Sequence, residues 1–185
     1  MHVRRQSVAY RPFPEIEGRD SLQVGIEVPL LVTLLGLPKG GRLLEVGCGS
    51  GAALVELHKR LCPASIAGVD VDSSLLREAA SRMALHGVPA DLSCADVHAL
   101  PVASESVDLV IDFGTCYHIP DAEGAMREIA RVLRPGGWFV HETPVSQLLA
   151  HPIRSCGRIL PWGRVPSLQF FRTAMLWSVR TKAAN

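Results

Sequence analysis

Residues 43–51, LLEVGCGSG, place glycines at 47, 49 and 51 directly after an apolar run. Removing the side chain at alternate positions lets a backbone leave a strand sharply and approach a ligand closely, with the first amides of a following helix aimed at it. Cys48 lies inside this loop. Gly47, Gly49 and Ala52 also satisfy the dinucleotide fingerprint, so the loop alone defines a nucleotide-type ligand without choosing its class. Nineteen residues beyond Gly51, Asp70 ends a second apolar run, where a carboxylate accepts hydrogen bonds from ribose hydroxyls. Val71 offers an apolar face to an adenine, and Asp96, after a third run, is placed to accept from an exocyclic amine. Together these spacings point to an adenosine-containing ligand. For proton transfer, residues 114–120 (GTCYHIP) supply Tyr117 and His118. A histidine has the ordinary pKa of a general base, and it serves equally well as a hydrogen-bonded pocket wall. His141 and Glu142 are weaker candidates, His58, His86 and His98 read as solvent-side or loop residues, and no His, Asp or Cys spacing suits a metal.

The elements that must position these residues follow from periodicity and punctuation. Asp20 and Gln23 have capping-box spacing, and Leu22, Ile26, Leu30 and Leu34 recur at helical period. Pro29 is expected to break or restart that helix, and Gly36 with Pro38 to end it. Residues 42–46 read as a buried strand, 52–61 as a helix stopped by Pro63, and 65–71 as a second strand. Asp72 or Ser73 caps a helix to about His86, closed by Gly87. Strands follow near 91–95 and 107–111, Asp121 caps a helix over 122–133, and residues 134–137 (RPGG) end it before a fifth strand at 138–140. Residues 146–156 suit another helix, and 167–181 a hairpin turning near Thr173 and Ala174. Five alternations of strand and helix define an α/β fold with a mostly parallel, doubly wound sheet.

The chain has 185 residues, enough for one domain, and its 48% apolar content supports a packed core. The longest apolar run, residues 28–37, is too short for a membrane span and is interrupted by Pro29 and Gly36. The N-terminus lacks the apolar stretch of a secretory signal, so a cytoplasmic protein is expected. Five cysteines, an odd number without a C-x-x-C pair, read as reduced thiols acting as small hydrophobes. The net charge of +1 hides an asymmetry, because residues 143–185 hold six Arg and Lys and no acid. Such a tail can serve nucleic acid, although arginines dispersed at 154, 158, 164, 172 and 180 suit solvated faces better than a phosphate patch.

With these residues in place, the chain resembles the class I S-adenosylmethionine-dependent methyltransferases, in particular the small-molecule, quinone-biosynthesis-like subfamily of methyltransferase type 11. Four segments match in order across residues 25–142: 43–51; 68–72 (GVDVD); 95–101 (ADVHALP) leading to 106–110 (SVDLV); and 126–137 (MREIARVLRPGG). The resemblance implies Gly47, Gly49 and Gly51 under the cofactor, Asp70 at its ribose, Asp96 and Val97 at adenine, and Glu45 orienting the methionine amine. It further implies Asp112 and Phe113 bordering the methionine moiety, and a seven-stranded sheet whose reversed last strand comes from the tail hairpin. Val102 and Val107 replace commoner aromatics, a loss of bulk expected to affect the acceptor pocket. The implied organisation is an N-terminal helical cap over 1–36, a cofactor-binding core over 42–142, and a C-terminal helix and hairpin over 143–185. The acceptor, a small organic molecule, is expected at a mouth formed by residues 10–13, the Tyr117 and His118 loop and the segment after Glu142, with residues 1–18 as a lid. The alternatives are an RNA methyltransferase using the basic tail and a cofactor-binding scaffold without turnover.

Overall fold

A computed structural model describes residues 16–116, 118–143, 165–174 and 176–184. The chain is helical from Ile16 through α1 (Ile16–Leu22), a π-helical turn (Gln23–Glu27) and α2 (Val28–Leu35), then runs β1 (Arg42–Val46), α3 (Ala52–Leu61), β2 (Ser65–Asp70), α4 (Ser73–His86), β3 (Ala90–Cys94), β4 (Val107–Asp112), α5 (Ala122–Val132), β5 (Leu133–Glu142), β6 (Leu168–Ala174) and β7 (Trp177–Lys182). The seven strands form one sheet in the order β3-β2-β1-β4-β5-β7-β6. The first five are mutually parallel, and β7 runs antiparallel to both β5 and β6. Strand order therefore reverses between β1 and β4, the switch point where ligands of open α/β sheets sit beyond the strands' carboxyl ends. Period-two alternation sends Leu43 to one core with α2, α3 and α4, and Leu44 and Val46 to the other with α5. No helix among the described residues is long and apolar enough to cross a membrane.

Asp72 caps α4 by accepting from the Ser74 and Leu75 amides, and Asp121 caps α5 through the Gly124 amide, as their positions predict. Asp20 departs from its predicted capping role: the chain is already helical at Ile16, and the Asp20 carboxylate reaches outward to other elements. Of the two outcomes expected at Pro29, the structure shows the restart: Pro29 falls in the first turn of α2, where a missing N–H costs least, just after the π-helical turn. Residues 134–137 do not form a loop; β5 starts at Leu133, with a register shift against β4. The hairpin turn comes slightly later than predicted, after Ala174. The predicted helix at 146–156 and the residue 10–13 segment lie outside the described residues. Of the cysteines described, Cys48 and Cys116 are buried as predicted, whereas Cys62 and Cys94 are exposed.

Candidate functional site

The glycine loop leaves β1 and crosses the end of β2, where the Gly47 and Cys48 amides donate to the Val69 carbonyl at 2.7 and 3.1 Å. Two of its glycines are required for opposite reasons. At Gly47 (φ +66°) a Cβ would lie 1.7 Å from Thr115 Oγ1, so the loop packs directly on the segment that follows β4. At Gly49 (φ +51°) a Cβ would meet nothing within 4 Å: this is the open face of the cradle, and its left-handed backbone favours glycine. Cys48 turns its thiol inward against Gly68 and Leu54, and burial pushes that thiol well above its ordinary range. Only its backbone is left to face a ligand.

Asp70 braces the loop. Its Oδ2 accepts from the Gly49 amide at 2.8 Å and its Oδ1 from the Asp72 amide at 2.9 Å, so the ribose-assigned carboxylate also fixes the open glycine. Val71 beside it is 68% exposed. Behind the loop, Glu45 is buried to 1% exposure and its Oε2 has no hydrogen-bond partner. Burial drives its carboxyl well above the usual range; the Arg19 guanidinium opposes this, and Asp70, Asp112 and Asp20 add to it. Such an orphaned acid fits an ammonium ligand, since an unsatisfied buried acceptor carries a desolvation penalty that a cation removes.

Other predicted residues take different places. Asp112 is buried, but its carboxylate accepts from the Gly114, Thr115 and Cys116 amides at 3.0, 2.6 and 3.1 Å and organises the turn after β4. Burial raises its pKa in spite of those bonds. Phe113 is half-buried, and its carbonyl accepts from Arg19 at 3.3 Å. Val97 packs its side chain in the α5-side core. Asp96 is solvent-facing and accepts from the His98 amide at 2.9 Å, a bond that lowers its pKa, with His98 Nδ1 at 2.6 Å. Burial pulls the His98 imidazolium down, but the Asp121 carbonyl at its Nε2 and Asp96 at its Nδ1 outweigh this. His98 thus ties the loop after β3 to the start of α5. His118 is half-buried, its amide donating to the Thr115 carbonyl at 3.0 Å, and Tyr117 lies outside the described residues. His141 is not placed as a base: its Nε2 accepts from Arg180 and its Nδ1 faces the Glu142 carbonyl, and burial pulls it down to about 4.

Sequence reasoning missed the part that α1 plays. Asp20 accepts from Ser50 Oγ of the glycine loop at 2.7 Å and from Arg82 of α4 at 2.6 Å, tying three elements together. Arg19 pairs with Glu27. The capping-box spacing was the signal that Asp20 bonds something; only the fold shows what. Val102 and Val107 lie together in the structure. They line a groove of about 540 Å³ floored by Leu44, Ala67 and Val69. Arg42, Ser65 and Val107, the first residues of β1, β2 and β4, border one end of it, and Val69, whose carbonyl the glycine loop bonds, lies in its floor.

A doubly wound sheet with a glycine cradle at its switch point, an acid at the end of β2 bonded to that cradle and a buried glutamate with an unpartnered oxygen define the class. Within that class, residues 44–141, more than half the chain, match the family model "Methyltransferase domain", and the chain belongs to that family. It is 32% identical over 123 residues to a probable phthiotriol/phenolphthiotriol dimycocerosates methyltransferase 2 of Mycobacterium ulcerans (strain Agy99), covering 66% of this chain and 43% of that protein. The matched stretch thus spans less than half of that relative. A SAM-dependent methyltransferase from Aquifex aeolicus shares the fold with TM-score 0.70 at 15% identity, over 94% of this chain and 98% of the other. So does geranyl diphosphate C-methyltransferase from Streptomyces coelicolor A3(2), solved with S-adenosyl-L-homocysteine, with TM-score 0.59 at 20% identity, over 69% of this chain and 52% of the other. The cofactor this membership brings is S-adenosylmethionine. The open Gly49 face and the unpartnered Glu45 oxygen fit its adenosine and its amine.

Proposed function

We propose that this chain holds S-adenosylmethionine on the glycine loop and transfers its methyl group to a small organic acceptor. The observation that carries the reading is the buried, unpartnered Glu45 oxygen at the end of β1, next to a glycine loop whose open Gly49 is bonded to Asp70. The bound sulfonium supplies a methyl group on an excellent leaving group. What the chain adds is positioning and exclusion of water: Asp70 holds the ribose, Glu45 the amine, and Asp96 with the backbone at Val97 the adenine edge. As the acceptor atom bonds to the methyl carbon, the carbon–sulfur bond breaks and S-adenosylhomocysteine leaves. Where the acceptor carries a proton, His118 receives it, with Tyr117, its neighbour in the sequence, as the second candidate.

A small acceptor is favoured over nucleic acid by how the basic tail is used. Arg180 is 1% exposed, Lys182 bonds the Leu133 carbonyl and pairs with Glu105, and Arg172 bonds the Leu35 carbonyl and lies over the Trp138 ring. These cations serve the fold. Calorimetric titration with S-adenosylmethionine, S-adenosylhomocysteine and NAD, followed by transfer of labelled methyl to phenols, amines and activated carbon acids, tests the proposal. Binding of both sulfur ligands and label transfer are expected, with His118→Ala lowering the rate for acceptors that lose a proton. Tight NAD binding without response to the sulfur ligands overturns it.

A further inference from the structure

The amino-acid end of the cofactor carries an ammonium and a carboxylate on one carbon, so a site that reads it must present an anion and a cation side by side. Glu45 supplies the anion, buried and with an unpartnered oxygen. The cation beside it is Arg19 on α1, held at the carboxyl end of β4 by its bond to the Phe113 carbonyl. Its side chain is only 13% exposed, and it faces a carboxylate already, that of Glu27.

The π-helical turn explains that pairing. In an uninterrupted α-helix, residues eight apart lie roughly 80° from one another around the axis. Slower winding through residues 23–27 brings Glu27 back under Arg19, and such turns recur at functional sites. Glu27 is the last residue of the turn, so its side chain can rotate away without moving Arg19.

We propose that Arg19 is the carboxylate-binding residue for the amino-acid end of the cofactor, with Glu27 as an internal stand-in that yields its place on binding. Arg19 and Glu45 then form a matched pair across the α-carbon, and α1, tied to the glycine loop through Asp20 and Ser50, is fixed by the ligand it helps to hold. A guanidinium suits this exchange because its planar fork matches any carboxylate presented edge on. Glu45, buried with an orphaned oxygen, gains its ammonium partner in the same event.

This inference rests on S-adenosylmethionine being the cofactor. Calorimetry on the full chain compares S-adenosylhomocysteine with its decarboxylated analogue, which keeps the adenosine and the amine. The native chain is expected to prefer S-adenosylhomocysteine. Arg19→Ala should weaken it about 10- to 100-fold while leaving the analogue nearly unchanged, and Arg19→Lys should recover part of the loss. Glu27→Gln should tighten S-adenosylhomocysteine a few-fold by removing the competing carboxylate. Equal losses for both ligands in Arg19→Ala mark a purely structural role and overturn the assignment, as does unchanged affinity for both. A native chain that binds neither ligand instead overturns the cofactor reading itself.

Discussion

The adjacent ends of β1 and β4 carry two buried acids that look alike in sequence and differ in kind. Val46 pairs with Asp112 across the two strands, and Glu45 precedes Val46 by one residue, so the acids point to opposite faces of the sheet. Burial raises the pKa of both. Asp112 has three backbone amides of its own turn as donors, whereas Glu45 has an oxygen with none. Satisfied buried polar groups hold a fold in shape, and unsatisfied ones are tolerated where a ligand completes them. The first acid therefore organises the turn after β4; the second, with an oxygen left open, is the one we propose meets the ligand.

The largest effect that tests this division is on stability. Asp112→Ala strands three amides in a buried turn, and at ~1 to 3 kcal/mol for each group left unsatisfied, with water repairing part of it, a loss of about 3 kcal/mol in urea denaturation of the cofactor-free chain is expected. A loss under about 1 kcal/mol would erase the structural role. Asp70→Ala comes next and acts mainly on binding. It removes the proposed ribose acceptor and frees Gly49, so S-adenosylhomocysteine affinity should fall by ~1.5 to 3 kcal/mol in calorimetry. Unchanged affinity with an intact fold contradicts the ribose assignment.

Glu45→Gln should do the reverse of Asp112→Ala: weaken S-adenosylhomocysteine about tenfold while leaving the cofactor-free chain as stable or more so at neutral pH. The sign follows from the raised carboxyl pKa, in a setting shared with Arg19, Asp20, Asp70 and Asp112. The unfolded glutamate releases its proton near pH ~4.3, and the folded one keeps it to higher pH. Stability from this group is present below the unfolded value and lost as pH rises through the folded one. The native chain should therefore lose stability across that window and Glu45→Gln should not, as urea titrations at a series of pH values will show. An identical pH slope in both proteins places the penalty elsewhere.

Why some of this was legible in the sequence and some was not has a physical reason. The glycine loop, Asp70, and the caps Asp72 and Asp121 depend on residues close in the chain, and fixed backbone geometry converts their spacing into position. The same locality made the alternation of strands and helices readable, and with it the fold. Arg19, Asp20 and Glu27 depend on a π-helical turn that shifts the helical register, which no 3.6-residue pattern reveals. Arg180 and Arg172 read as solvated charges because a sequence shows a cation and not the carbonyls or rings it meets.

The smallest expected effect separates the adenosine end of the site from the amino-acid end. Val71 follows Asp70 and is 68% exposed, so its side chain is open to a flat ligand at the end of β2. If adenine lies against it, Val71→Ala removes two methyl groups from one face of the ring. Burial of that surface on a single side is worth roughly 0.8 kcal/mol, or about fourfold in affinity. Because the contact involves the base alone, the same factor should be lost for S-adenosylhomocysteine and for free adenosine. Glu45→Gln should behave differently, weakening S-adenosylhomocysteine and leaving adenosine untouched. Unchanged adenosine affinity in Val71→Ala would put the adenine elsewhere along the β2 and β3 ends and leave Val71 as a solvated residue at the start of α4.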